Sequence, residues 1–133
     1  MKTVFVDTSG FYAALDNADP FHATAVQLFR RAATENWGLV TTNYVAHESW
    51  ALIQRRLGME AIKDFDRGLL RHGQLIFVDT PLHHAGVQRC LAANRRNLSL
   101  TDCVSLEWMN RALISEAIAH DAHFVEAGIR LPN

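Results

Sequence analysis

Four carboxylates stand at four separated points of this chain: Asp7, Glu48, Asp102 and Asp121. Asp7 ends the apolar run Val4-Phe5-Val6, and Glu48 lies in a helical stretch. Asp102 follows Ser99-Leu100-Thr101, and Asp121 opens Asp121-Ala122-His123-Phe124. Each position is a strand-to-helix junction or lies near a helix start. Carboxylates gathered in one place repel and raise one another's pKa, an arrangement tolerated mainly where a cation offsets the charge. Hard carboxylate oxygens suit Mg²⁺ or Mn²⁺. Such an ion neutralises a phosphodiester and lowers the pKa of a water, so the expected chemistry is metal-dependent nuclease chemistry.

Each acid also has a local alternative. Asp7-Thr8-Ser9 is a run of common helix caps. A phosphoryl-accepting aspartate at this place would want a second Asp two residues on, and Ser9 stands there. Glu48 shares a helical face with Arg55 and reads equally as a surface acid supporting an arginine. Ser99 and Asp102 have the spacing of a capping box, although Ser105, Leu106 and Met109 continue from Asp102 as an inward stripe. A helix N-terminus favours the ionised carboxylate in either role. Asp121 is also a possible cap. His120 and His123 flank it, but no third soft ligand is local, which argues against zinc. Four local explanations that must all hold at once are less probable than one shared cause.

With 133 residues, 49% hydrophobic and 20% charged, the chain fits a single domain spanning 1–133 with a sizeable core. The first apolar run is too short for a signal peptide or membrane span, so a cytoplasmic address without membrane association is expected. Cys90 and Cys103 have no Cys-x-x-Cys partner and read as buried small apolar residues. Net charge is −1 and pI about 6.6, so any nucleic-acid contact must be local. Arginine supplies most of the positive charge and is the better bidentate partner for phosphate. Arg55, Arg56, Arg95 and Arg96 are candidates for substrate phosphates, with solvated helix ends as the alternative.

The elements that would position these residues alternate along the chain. Residues 2–6 predict a strand and 9–15 a short helix. Asp19 and Pro20 predict the cap and first position of a longer helix. Residues 39–41 predict a strand. Asn43 then caps a helix whose buried stripe is Ala46, Trp50, Ile53 and Leu57, ended by Gly58. Residues 59–72 predict one helix, stopped by Gly73, and 75–78 a third strand. Pro81 starts the next helix, and 101–110 form another. Residues 117–119 predict an inner strand and 129–131 an edge strand. Strands alternating with helices give an α/β fold with helices on both faces of a parallel sheet. Ligands sit beyond the carboxyl ends of such strands, where Asp7 and Asp121 emerge.

The order of the acids, with the opening Val-Asp-Thr-Ser and the closing Asp-x-His-Phe-x-x-x-Gly, resembles the PIN-domain ribonucleases, most closely the small VapC-type toxins, from about Val4 to Gly128. The resemblance implies a three-layer α/β/α fold with a short, mostly parallel sheet. It also implies that Asp7, Glu48, Asp102 and Asp121 hold one or two Mg²⁺ or Mn²⁺ ions, about 3.5–4 Å apart when paired. Ser9 and Ser105 would orient ligands or water. His123-Phe124 would seat the last helix, while His120 departs from the family pattern. Implied partners are an RNA substrate, a small antitoxin and a second copy of the chain in a homodimer. A PIN-like module that only binds, expected to lack one or more acids, and a metal-dependent phosphatase are the alternatives.

Overall fold

The first strand, β1 (Thr3–Val6), buries Val4, Phe5 and Val6 in succession. Such a run on both faces marks a strand covered by helices on both sides. It pairs in parallel with β2 (Gly38–Thr42) and with β4 (Ala117–Ile118), and β2 pairs in parallel with β3 (Gln74–Ile76). The strand order is β3-β2-β1-β4. All four strands are parallel, and the structure, a computed structural model describing residues 1–133, is a three-layer α/β/α sandwich. The chain winds outward from β1 to β3 and then crosses to the other side of β1. Right-handed crossovers of opposite direction place their helices on opposite faces.

Helix α1 (Thr8–Leu15) leaves β1 directly, followed by α2 (His22–Thr34). The expected start of α2 at Asp19-Pro20 is corrected: Asp19 caps a turn, accepting the Phe21 N–H at 2.8 Å, and the helix begins at His22. Helix α3 (Asn43–Leu57) is capped by the Thr42 hydroxyl, which accepts the Val45 N–H at 3.2 Å. Asn43 instead ties the start of α3 to the end of the third strand, its Oδ1 accepting the Val78 N–H at 2.7 Å. The buried stripe of α3 is Val45, Ser49 and Ile53. Trp50 lies outside it, 37% exposed and bonded through its indole N–H to Gln54. The stripe is rotated away from Trp50 because Ser49 turns inward to the Thr8 hydroxyl.

Gly58 ends α3 at φ 90°, a conformation that glycine adopts without Cβ strain. The predicted helix over 59–72 divides into α4 (Met59–Asp64) and a π-helical turn (Phe65–Leu70) that seats Phe65 in the core. Helix α5 (Thr80–Ala93) carries Pro81 in its first turn and is capped by Asp79. It packs closely on α6 (Leu100–Ala112), since a Cβ on Gly86 would stand 3.2 Å from Val104 Cα. Strand β4 is an edge strand of the named sheet rather than an inner one. The 129–131 strand reduces to one parallel bridge, Glu116 to Arg130. Helix α7 (Ala122–Glu126) follows and buries Phe124. Cys103 is buried as expected, whereas Cys90 is half-buried. No helix is long and apolar enough to cross a membrane.

Candidate active site

The winding reverses at β1, so the carboxyl ends of β1 and β4 flank the crevice where α/β sheets place their ligands. Two carboxylates leave these strand ends. Asp7 follows Val6, and Asp121 stands three residues past Ile118. The two turns are clasped together. The Asp7 N–H donates to the Ile118 carbonyl at 3.2 Å, and the Ser9 hydroxyl accepts the His120 N–H at 2.9 Å. Gly10 makes this approach possible, because a Cβ there would collide with the Ile118 carbonyl oxygen.

Asp7 divides its two oxygens between two roles. Oδ2 caps α1, accepting the Ser9 N–H at 3.1 Å and the Ser9 hydroxyl at 2.6 Å. Oδ1 is buried with no hydrogen-bond partner. Burial pushes the Asp7 carboxyl up to about 7; the Ser9 hydroxyl opposes this, and the charges of Asp102 and Asp121 add to it. An orphaned buried carboxylate oxygen is costly unless something positive satisfies it.

Asp102 sits in the first turn of α6. The capping box is present: Ser99 Oγ accepts the Asp102 N–H at 3.0 Å, and Asp102 Oδ2 accepts the Ser99 N–H at 3.3 Å. Burial raises the Asp102 carboxyl to about 6, followed by the charge of Asp121, while the Ser99 backbone N–H opposes and the charge of Glu48 adds to the rise. Asp121 caps α7, its Oδ1 accepting the His123 N–H at 2.7 Å. Thus capping and mutual proximity hold together for these three aspartates. Their helix N-termini converge on one place, which favours negative charge there.

Glu48 reaches the group from α3. Ser49, its neighbour, donates to the Thr8 hydroxyl at 3.0 Å, pinning this part of α3 against the N-terminus of α1. Glu48 forms no ion pair, with Arg55 or any other residue, so the supporting-acid alternative has no counterpart in the geometry. The four carboxylates act on one another as charges, yet no three are gathered at metal-ligand separations. The hard oxygen donors and the orphaned Asp7 Oδ1 fit a divalent ion of the Mg²⁺ or Mn²⁺ class.

Ser105 is fully buried in α6, and its Oγ has no partner. His123 donates its Nε2–H to the Asn97 carbonyl at 3.0 Å, while Phe124 anchors α7 in the core. His120 packs edge-on against Phe21, ring centroids 4.9 Å apart. The arginine doublets separate. Arg55 and Arg56 lie exposed in the last turn of α3, two turns beyond Glu48, with Arg56 over the Tyr12 ring. Arg95 and Arg96 lie in the loop that leads into Ser99, and Arg95 pairs with Glu126 at 2.7 Å. The Thr8–Ser49 bond and the close approach at Gly10 are site features absent from the sequence expectations. The run Asp-Thr-Ser-Gly carries a signal for Gly10 alone, since a glycine inside a first helical turn asks for a close neighbour.

The PIN domain family profile matches residues 4–129. The chain is 33% identical over 129 residues to the 23S rRNA-specific endonuclease VapC20 of Mycobacterium tuberculosis, covering 94% of each chain. The crystal structure of Mycobacterium tuberculosis VapC20, described as a Sarcin-Ricin loop cleaving toxin, superposes with a TM-score of 0.83 at 29% identity over 95% of both chains. VapBC2 from Rickettsia felis, bound to a promoter DNA fragment, shares the fold at a TM-score of 0.67 and 10% identity, with 97% of this chain and 96% of that one covered. Profile, relative and superposition all span the β1-to-α7 unit that carries the four acids, and the chain belongs to the PIN domain family.

Proposed function

We propose that this protein is a divalent-cation-dependent endoribonuclease and the toxin of a toxin–antitoxin pair. The observation that carries the reading is the 33% identity over nearly the whole chain to an RNA endonuclease. The acid group at the sheet's switch point supports it. Asp7, Glu48, Asp102 and Asp121 would hold the ion, with Asp7 offering the oxygen left free by helix capping. When bound, Mg²⁺ or Mn²⁺ supplies charge neutralisation at the scissile phosphate and acidifies the attacking water. Ser9 fixes the Asp7 carboxylate through its hydroxyl and ties it to the Asp121 turn. Ser105, one turn after Asp102 in α6, has a buried hydroxyl without a partner that would orient ligand or water.

The first substrate to test is the Sarcin-Ricin loop of 23S rRNA, which the relative is described as cleaving. A small antitoxin covering the acidic site, and a homodimer, complete the proposal. Purified protein incubated with ribosomal RNA and Mg²⁺ or Mn²⁺ is expected to give a small set of new ends on sequencing, and none in EDTA. Full activity in excess chelator defeats the metal mechanism, and intact RNA in every metal defeats the nuclease reading.

The arginine pair before Ser99 yields a separate expectation. Arg95 and Arg96 replaced together by Gln should weaken RNA binding and flatten its salt dependence, with turnover of bound substrate little changed. The exposed Arg95–Glu126 pair contributes little to folding, so melts should stay near the parent's. An unchanged salt slope in a filter-binding titration removes the doublet from the substrate path.

A further inference from the structure

Beside the acids, between α3 and the N-terminus of α6, runs a groove of about 590 Å³ lined by Asn43, Tyr44, His47, Glu48, Leu100 and Thr101. Glu48 belongs both to this wall and to the acid group, and Thr101 precedes Asp102. The groove is therefore continuous with the site. Its remaining lining is uncharged apart from the titratable His47. A phosphate entering it would face Glu48 without a fixed cation, whereas a nucleobase brings a neutral π-face and polar edges.

The side chains are set for such a guest. Tyr44 is half-buried, and its hydroxyl shares a hydrogen bond of 2.5 Å with His83 Nδ1. The two rings pack edge to face at 6.0 Å, and His84 packs on His83 at 5.8 Å. This backing from α5 holds the Tyr44 ring in place before any ligand arrives. Asn43 turns its oxygen to the Val78 N–H, which leaves the two N–H donors of its amide as the group set for the groove. The His47 side chain is exposed and makes no hydrogen bond within the chain.

We infer that this groove is a nucleobase subsite, in which Tyr44 and His47 stack an unpaired RNA base next to the scissile phosphate and Asn43 selects a base with a carbonyl edge. Every base has a π-face, so stacking supplies affinity with little sequence preference. The Asn43 amide donors supply the preference. It matches O6 and N7 of guanine or O4 of uracil, and it cannot satisfy the amino group of adenine. Tyr44, His47 and Asn43 are positioning residues, and the inference rests on the nuclease reading above.

The test is cleavage of a random-sequence single-stranded oligoribonucleotide pool in Mn²⁺, with the new ends sequenced, alongside steady-state kinetics on one cleaved sequence. The parent should show a guanine or uracil preference at one position flanking the cut. Tyr44→Ala and His47→Ala should each raise KM about tenfold, with the loss in KM rather than kcat. Tyr44→Phe, which keeps the ring, should restore most of the KM. Asn43→Ser should blur the base preference. No cleavage by the parent would sink the nuclease reading itself. Cleavage by the parent with KM unaltered in Tyr44→Ala and His47→Ala, or with the base preference unaltered in Asn43→Ser, would leave the nuclease standing and overturn the subsite. Because His47 is exposed, its variant answers the question even if Tyr44→Ala folds poorly.

Discussion

Asp7→Asn is expected to lower metal-dependent RNA cleavage by at least about a hundredfold while making the metal-free protein more stable at neutral and alkaline pH. The activity loss follows from removing a charged ligand, since changes to groups that merely support ligands already cost about 10–100-fold. The stability gain follows from linkage. The folded protein holds the Asp7 proton far more tightly than an unfolded chain would, with a pKa raised from 3.8 to about 7. Stability tied to that proton is fully present below pH 3.8 and is lost as pH rises through about 7. The gap corresponds to an upper bound of about 4 kcal/mol at high pH. Asp102, raised to about 6, adds a smaller loss of the same sign in a slightly lower window. The metal-free parent should therefore melt at lower temperature at pH 8 than at pH 5, and Asp7→Asn should flatten much of that slope. Asn still accepts the Ser9 N–H, so the cap survives, whereas Asp7→Ala loses it at a cost of about 1 kcal/mol. An Asn variant that cleaves RNA at the parental rate would reduce Asp7 to a cap, and a parent with no such pH slope would contradict its burial as a lone carboxyl.

Gly10→Ala should have the second largest effect. The added methyl meets the Ile118 carbonyl oxygen and stands 2.9 Å from Ile118 Cγ2. Both belong to the sheet, so neither moves away cheaply. Forcing α1 off the end of β4 should destabilise the fold by about 1–3 kcal/mol. It should also part the Asp7 and Asp121 turns, lowering cleavage even under conditions where the variant is folded. Gly68→Ala serves as the control, since a Cβ there meets nothing within 4 Å. Urea melts of both variants with parallel cleavage assays give the answer. A Gly10→Ala protein as stable and active as the parent would mean that the two turns need no close approach.

The alternation of strands and helices was legible because each parallel strand is a short apolar run and each crossover carries its own stop signal, as at Gly58 and Asp79-Thr80-Pro81. The errors arose where local chemistry was ambiguous. Asp19-Pro20 has the composition of a helix start, yet Asp19 spends its side chain on a turn and Phe21 is drawn into the core. Trp50 fits the four-three-four spacing of an apolar stripe with Ala46, Ile53 and Leu57, while the inward places went to Val45, Ser49 and Ile53. A serine turns inward when it finds a buried partner, and Thr8, 41 residues away, is invisible to periodicity. The π-helical turn at Phe65 carries no sequence mark of its own. At the site, residue types named the four acids, but that Asp7 and Asp102 cap helices and also share charge with Asp121 required the fold. The Tyr44–His83 backing of the groove joins residues 39 apart and had no sequence signal.

The bond between Ser9 and His120 spans 111 residues, and Asp7 is likewise fastened to Ile118. Contacts of such long separation form only after the intervening chain is available, and they close late and slowly. During synthesis, therefore, Asp7 and Glu48 leave the ribosome well before Asp121, on a sheet that still lacks its last strand. The nascent chain acquires its complete acid group only once β4 and the Asp121 turn have emerged and docked beside β1. An enzyme directed at RNA is thereby kept incomplete for most of the time it spends attached to the ribosome that makes it.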